Sequence, residues 1–160
     1  MTSVALELVG LEKSFGSRRA LDGLSFAAPR GAITGLIGPN GAGKTTCFSI
    51  VSGLLQADAG RVDVLGQGPF DATTRAGRLL ALPQDCELPP HTRVDGFLRY
   101  LARLQGLSAG EAAREVDRVL DLVALGDRRS SRVRELSHGM RRRVSVAQAL
   151  LGDPALCLLD

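Results

Sequence analysis

The segment Gly38-Pro39-Asn40-Gly41-Ala42-Gly43-Lys44-Thr45-Thr46 constrains the fold of this chain more than any other stretch. It satisfies Gly-x-x-x-x-Gly-Lys-Ser/Thr, the spacing of a loop that cradles nucleotide phosphates. Glycines at 38, 41 and 43 permit unusual backbone angles and let several N–H groups converge on one anion. Lys44 has the reach to set a positive charge on the β- and γ-phosphates, and Thr45 can offer its hydroxyl to Mg²⁺. Before the loop, Ala32-Ile33-Thr34-Gly35-Leu36-Ile37 reads as a short buried strand. After it, Phe48, Val51 and Leu55 mark one face of a helix whose positive N-terminus faces the phosphates. The chain has only two lysines, Lys13 and Lys44, and chance produces the motif in roughly 0.3% of chains of this composition. A dinucleotide fingerprint fits poorly, because Thr46 stands where its third glycine would be.

Bulk properties narrow the remaining choices. A length of 160 residues with 44% hydrophobic content suits one soluble globular domain with a real core. No run approaches the ~18 apolar residues of a membrane span, and the N-terminus lacks the pattern of a signal peptide. A net charge of +3 is mild for a nucleic-acid binder. Cys47, Cys86 and Cys157 are odd in number and far apart, so neither a zinc site nor a disulfide framework follows, and a reducing cytoplasm is the expected setting. Cys47 and Cys157 read as small buried hydrophobes. His91 and His138 read as isolated surface or loop residues.

Taken in order, Val4, Leu6 and Leu8 alternate with Ala5, Glu7 and Val9 as a strand that closes near Phe15-Gly16. Leu21, Leu24 and Phe26 suggest a second strand, ending at Pro29-Arg30-Gly31. Asp58-Ala59-Gly60 reads as a turn before a strand over 61–65, and Leu79-Leu80-Ala81-Leu82 as a short buried strand. From about residue 93 the period changes to 3.6: Val94, Phe97, Leu98, Leu101 and Leu104 share a helix face that Gly106 ends. Ser108-Ala109-Gly110-Glu111 is a capping box for a second helix. Ser137 can cap a third, carrying Met140, Val144, Ala147 and Leu151. Arg141-Arg142-Arg143 reads as a solvated helix face. Asp153-Pro154 then breaks the chain into an apolar strand ending at Asp160. An α/β core is thus interrupted by a helical insert.

Read with the phosphate loop, three further stretches resemble the ATP-binding subunit of ABC transporters. Gln84 lies 40 residues after Lys44 at a strand end, as that family's Q-loop glutamine does. Leu136-Ser137-His138-Gly139-Met140 resembles the LSGGQ signature. Leu156 to Asp160 resembles the Walker B strand, 23 residues after the signature serine. The resemblance implies a P-loop NTPase (ABC ATPase) core with N-terminal antiparallel strands and an inserted helical subdomain: residues 1–85 as β-rich phosphate-loop core, 86–152 as helical subdomain and 153–160 as Walker B strand.

The resemblance further implies ATP and Mg²⁺ as cofactors and ATP hydrolysis in the complete protein. Lys44, Gln84 and Asp160 take the catalytic roles. Thr45, Gln84 and Asp160 surround the metal, and Ser137 and Gly139 meet the γ-phosphate of an opposite subunit. Phe15 stands where the family stacks an aromatic, usually Tyr, on adenine. The implied partners are a separate membrane permease, docked near Gln84 and the surface from Phe97 to Leu104, and a second ATPase. No nucleic acid is expected. The implied place is the inner face of the cell membrane, held there through the permease.

Two departures stand out. His138 and Met140 replace the second glycine and the glutamine of the signature. The family's catalytic Glu directly after the Walker B aspartate, and a later switch His, are not among these residues. The chain is therefore read as the N-terminal part of a longer subunit with C-terminal strands missing, itself marginally stable and weakly active. The motif variants look most like the drug- and polymer-exporting branch. The alternatives are a soluble ABC-type ATPase acting on nucleic acid or ribosomes, and a nucleotide-binding remnant without hydrolysis.

Overall fold

The structure, a computed structural model, describes residues 3–75 and 77–160. Strand periodicity at the N-terminus produces β1 (Val4–Phe15) and β2 (Arg18–Pro29), a long hairpin joined by Gly16 and Ser17. After the phosphate loop come α1 (Lys44–Val51) and β3 (Ala59–Val64). β4 (Leu79–Leu82) leads into α2 (Val94–Leu104), α3 (Ala109–Leu122) and α4 (His138–Ala149), and β5 (Leu156–Leu159) follows. The chain divides into two compact units, Met1–Leu79 with Asp160 and Leu80–Leu159.

The first unit is built on a three-stranded antiparallel sheet in the order β2-β1-β3. Its centre is set by facing apolar pairs, Leu6 with Val64 and Leu8 with Val62, all buried. Pairing slips between Leu8 and Leu11. There Gly10 turns to φ +58° and its N–H donates to Ser25 Oγ at 2.8 Å, as expected of a bulge. Gly60 is needed opposite, because a Cβ there would lie 2.4 Å from the Gly10 carbonyl oxygen. β3 therefore includes Ala59 and Gly60, where a turn was expected, and stops before Leu65.

The second unit is a helical cluster around Val94, Leu98, Val116, Leu120, Val133 and Val144. All three helices begin and end close to the expected signals. Ser108 Oγ accepts from the Glu111 N–H while Glu111 returns the bond to the Ser108 N–H, completing the capping box. Ser137 caps α4 by accepting from the Met140 N–H at 3.2 Å. β4 pairs with β5.

Two expectations are corrected. Residues 32–37 form no strand, and Ile33 and Ile37 are 104% and 96% exposed. The segment has apolar β-formers but no ladder partner among the described residues, and an unpaired strand has nothing to fix its register. The buried face of α1 is Cys47, Ile50 and Val51, not Phe48 with Leu55, since the helix ends before Leu55 is reached.

Candidate functional site

In the first unit, the phosphate loop is a compact turn braced from several sides. Gly41 and Gly43 adopt φ +84° and +86°, the left-handed region open to glycine. Gly43 is the N-cap of α1, and the Cys47 N–H donates to its carbonyl at 2.8 Å. The Ala42 N–H donates to the Pro39 carbonyl at 3.2 Å. Lys44 Nζ arches back over the loop, donating to the Gly38 carbonyl at 2.7 Å and the Pro39 carbonyl at 2.9 Å. A helix N-terminus, left-handed glycines and an ammonium group thus converge on one concave turn, an arrangement that favours an anion.

Thr45 and Asp160 stand 115 residues apart in sequence and meet here. Thr45 Oγ1 donates to Asp160 Oδ2 at 2.9 Å. Both are hard oxygen donors. Mg²⁺ takes one or two protein oxygens together with phosphate and water, so this pair beside a phosphate cradle fits that ion. Among the described residues no cluster of three or more His, Cys, Asp or Glu side chains could hold a metal by itself.

The hairpin tip completes the first unit's site. Arg18 Nη2 lies 3.5 Å from the Gly41 carbonyl oxygen, and a Cβ on Gly43 would come within 2.3 Å of the Ala20 carbonyl oxygen. Phe15 pairs across the hairpin with Arg18 and is 50% exposed, so it is not a core residue. Phe15 thus stands across the hairpin from the arginine that approaches the loop. Sequence reasoning missed Arg18: an exposed arginine near a turn carries no signal until the hairpin packs on the loop. Burial pushes the thiol of Cys47, one turn into α1, up to about 11, so it behaves there as a neutral, small apolar group.

Gln84, Ser137 and Gly139 lie in the second unit. Gln84 is in the turn after β4, and its carbonyl accepts from Arg142 Nη1 of α4 at 3.0 Å. Ser137 and Gly139 are exposed at the N-terminus of α4. Of the three arginines expected on a solvated face, Arg142 and Arg143 are exposed and Arg141 is half-buried, and all three also serve as tethers. Arg141 Nη1 donates to the Leu136 carbonyl at 2.6 Å, and Arg143 Nη1 to the carbonyls of Val123 and Ala124 at 3.1 Å each. A cavity of about 830 Å³ opens between the Gln84 turn and α4, lined by Cys86, Glu87, Arg134, His138 and Arg142 among others. On α2, Tyr100 and Leu104 are exposed at 62% and 67%, whereas Phe97 and Leu101 pack on the core. None of the helices among the described residues is long and apolar enough to cross a membrane.

Comparison with known proteins agrees in family and fold. The family model for ABC transporters matches residues 21–160. The chain is 38% identical to a Nod factor export ATP-binding protein I of Rhizobium sp. (strain N33), over all of this chain and 53% of that protein. It is 33% identical to the linearmycin resistance ATP-binding protein LnrL of Bacillus subtilis (strain 168), over 97% of this chain and 50% of that protein. The chain thus spans about half the length of the curated relatives it matches. Its fold superposes on cbiO1 from Clostridium perfringens, part of the ABC transporter complex cbiONQ, with a TM-score of 0.88 at 24% identity. The match covers 99% of this chain and 65% of that one.

Proposed function

Because this chain belongs to the ABC transporter family, we propose that it is the nucleotide-binding part of an energy-coupling ATPase subunit, one that binds MgATP and drives export through a separate membrane permease. The observation that carries the binding step is the meeting of Thr45 Oγ1 with Asp160 Oδ2 at 2.9 Å, at the first turn of the helix that follows the phosphate loop. The loop N–H groups and the helix dipole hold the phosphate chain. Lys44, already turned over the loop, exchanges its carbonyl partners for the β- and γ-phosphate oxygens. Thr45 and Asp160 hold Mg²⁺, which when bound neutralises charge on those oxygens. Phe15 stacks on adenine.

The export assignment follows the printed names of relatives, one for Nod factor export and one for linearmycin resistance. Gln84 and the groove beside α4 are the proposed contact with the permease, and Ser137 with Gly139 the proposed contact with the nucleotide of a second ATPase. Hydrolysis, transported substrate and membrane association are proposed for the complete protein.

The test is nucleotide binding by the full-length protein. Lys44→Ala is expected to weaken MgATP binding by about 10- to 100-fold, the equivalent of losing a charge-assisted contact. Asp160→Asn is expected to abolish most of the Mg²⁺ dependence while leaving metal-free ATP binding nearly intact. If Lys44→Ala binds MgATP as tightly as the parent protein, the proposed site is wrong.

A further inference from the structure

Near the tip of the β1–β2 hairpin, three successive residues ahead of Phe15 are tied to one aspartate. Asp58 Oδ1 accepts from Lys13 Nζ at 2.6 Å, and Asp58 Oδ2 accepts from the Ser14 N–H at 2.7 Å. The Asp58 N–H donates in turn to the Glu12 carbonyl at 2.9 Å. So held, Lys13 Nζ stands over the Phe15 ring, 5.8 Å from its centroid, inside the ~6 Å range of a cation–π contact.

The exposures are those of a support and not of a casual surface ion pair. The Lys13 side chain is only 14% exposed and Asp58 46%, while the ring they flank is 50% exposed. A lysine that needed only a counter-ion would keep its ammonium in water. Here the ammonium stands over one face of an aromatic ring that is itself half-exposed. Through the Phe15–Arg18 pair, the same hairpin tip reaches the Gly41 carbonyl of the phosphate loop.

We propose that the Lys13–Asp58 pair is a positioning device for base recognition, fixing the Phe15 ring and holding a cation on one face so that the other face stacks on a purine. The proposal rests on the reading of Phe15 as the adenine platform. Its physical basis is the quadrupole of the ring, whose faces are negative and repel the negative face of a stacked base. A cation behind the ring draws π density toward itself and relieves that repulsion. It also limits rotation of the ring, so less freedom is lost when the base arrives. Phenylalanine has no hydroxyl with which to orient itself by a hydrogen bond, which leaves packing and electrostatics to set the platform.

The experiment compares two ligands on the full-length protein: MgATP, and magnesium tripolyphosphate, which offers phosphates without a base. Lys13→Met is expected to weaken MgATP by about threefold and to leave tripolyphosphate unchanged. Asp58→Ala should follow it, and Lys13→Arg, which keeps a cation, should restore the parental ratio of affinities. Phe15→Ala should lower MgATP affinity by at least about fivefold, as loss of a base-stacking ring does, again sparing tripolyphosphate. A lowered ratio for Phe15→Ala with an unchanged ratio for Lys13→Met overturns the role of the ion pair while leaving the platform standing. An equal loss of both ligands in Lys13→Met makes the pair a structural prop and overturns the proposal too. An unchanged ratio for Phe15→Ala overturns both the platform and the pair.

Discussion

Replacing Gly43 by alanine tests the packing that joins the hairpin to the phosphate loop. Two costs add. Gly43 sits at φ +86°, where an L-residue with a Cβ loses about 1–2 kcal/mol. The added methyl would also lie 2.3 Å from the Ala20 carbonyl oxygen and 2.7 Å from Leu21 Cδ2. Ala20 is backbone in β2 and Leu21 is buried, so neither can swing aside, and displacing them costs about a further 1–3 kcal/mol. The expected loss is about 2–5 kcal/mol in total. Gly41→Ala shares the left-handed angle, at φ +84°, but its methyl meets only Arg18 Nη2 at 3.1 Å, the far end of a flexible side chain. Its loss should stay near 1–2 kcal/mol. Gly38→Ala has no positive φ, and its methyl touches only the Ala42 methyl at 3.1 Å, so its loss should fall below about 1 kcal/mol. Urea unfolding of the three variants, with unchanged slopes, gives the ranking directly. If Gly43→Ala is no less stable than Gly41→Ala, the hairpin does not press on the loop and the reasoning fails.

Two further outcomes are expected. Glu115 accepts from Arg118 Nη2 at 2.6 Å, Arg118 Nε at 2.8 Å and the Gly152 N–H at 2.8 Å, and the Arg118 bond chiefly holds its carboxyl below the ordinary 4.5. A carboxylate lowered on folding contributes stability that is fully present above about 4.5 and is lost as pH falls through the lower, folded value. Glu115→Gln should therefore cost about 1–2 kcal/mol at pH 7 and flatten the acid limb of a stability–pH curve. An unchanged acid limb would refute this. In the 160-residue chain, Ile37→Ala should cost under about 0.5 kcal/mol, whereas Leu11→Ala, at a side chain with no exposure, should cost about 2–5 kcal/mol. Equal losses in chemical denaturation would show that residues 32–37 are packed after all.

The legible parts of the chain were those whose causes are local. The capping box at Ser108, the glycine stop at Gly106 and the alternation in β1 each act within a few residues. The phosphate loop was legible for the same reason: its glycines and its lysine are one continuous segment. What escaped was set by partners distant in sequence. The tip of the hairpin makes Arg18 a neighbour of Gly41, and Asp58 binds Lys13 from 45 residues away. Arg141 to Arg143 looked like a charge run for water. Yet an arginine reaches far enough to find carbonyls that a helix end or a turn leaves without partners, and all three do so. Thr45 and Asp160 lie between these cases. Each was recognisable within its own motif, but only the fold puts a hydroxyl and a carboxylate in contact.

The segment ahead of the phosphate loop shows most clearly where a local signal stops being sufficient. Ile33, Leu36 and Ile37 supply β-propensity, but a strand exists as a ladder and not as a tendency. With no ladder partner among the described residues, the backbone runs free of the sheet and its isoleucines face water. The stem therefore does little to hold the loop from its N-terminal side. The constraint comes from the other side: the Gly43 carbonyl caps α1, Ala20 packs on Gly43, Arg18 approaches Gly41, and Lys44 binds the carbonyls of Gly38 and Pro39. An anion that recruits Lys44 removes the last of these braces, so the N–H groups that replace it must bind the anion strongly enough to keep Gly38 and Pro39 in place. On the proposed reading, a phosphate that recruits Lys44 therefore has to take over its hold on Gly38 and Pro39, while the approaches of Arg18 to Gly41 and of Ala20 to Gly43 do not depend on Lys44.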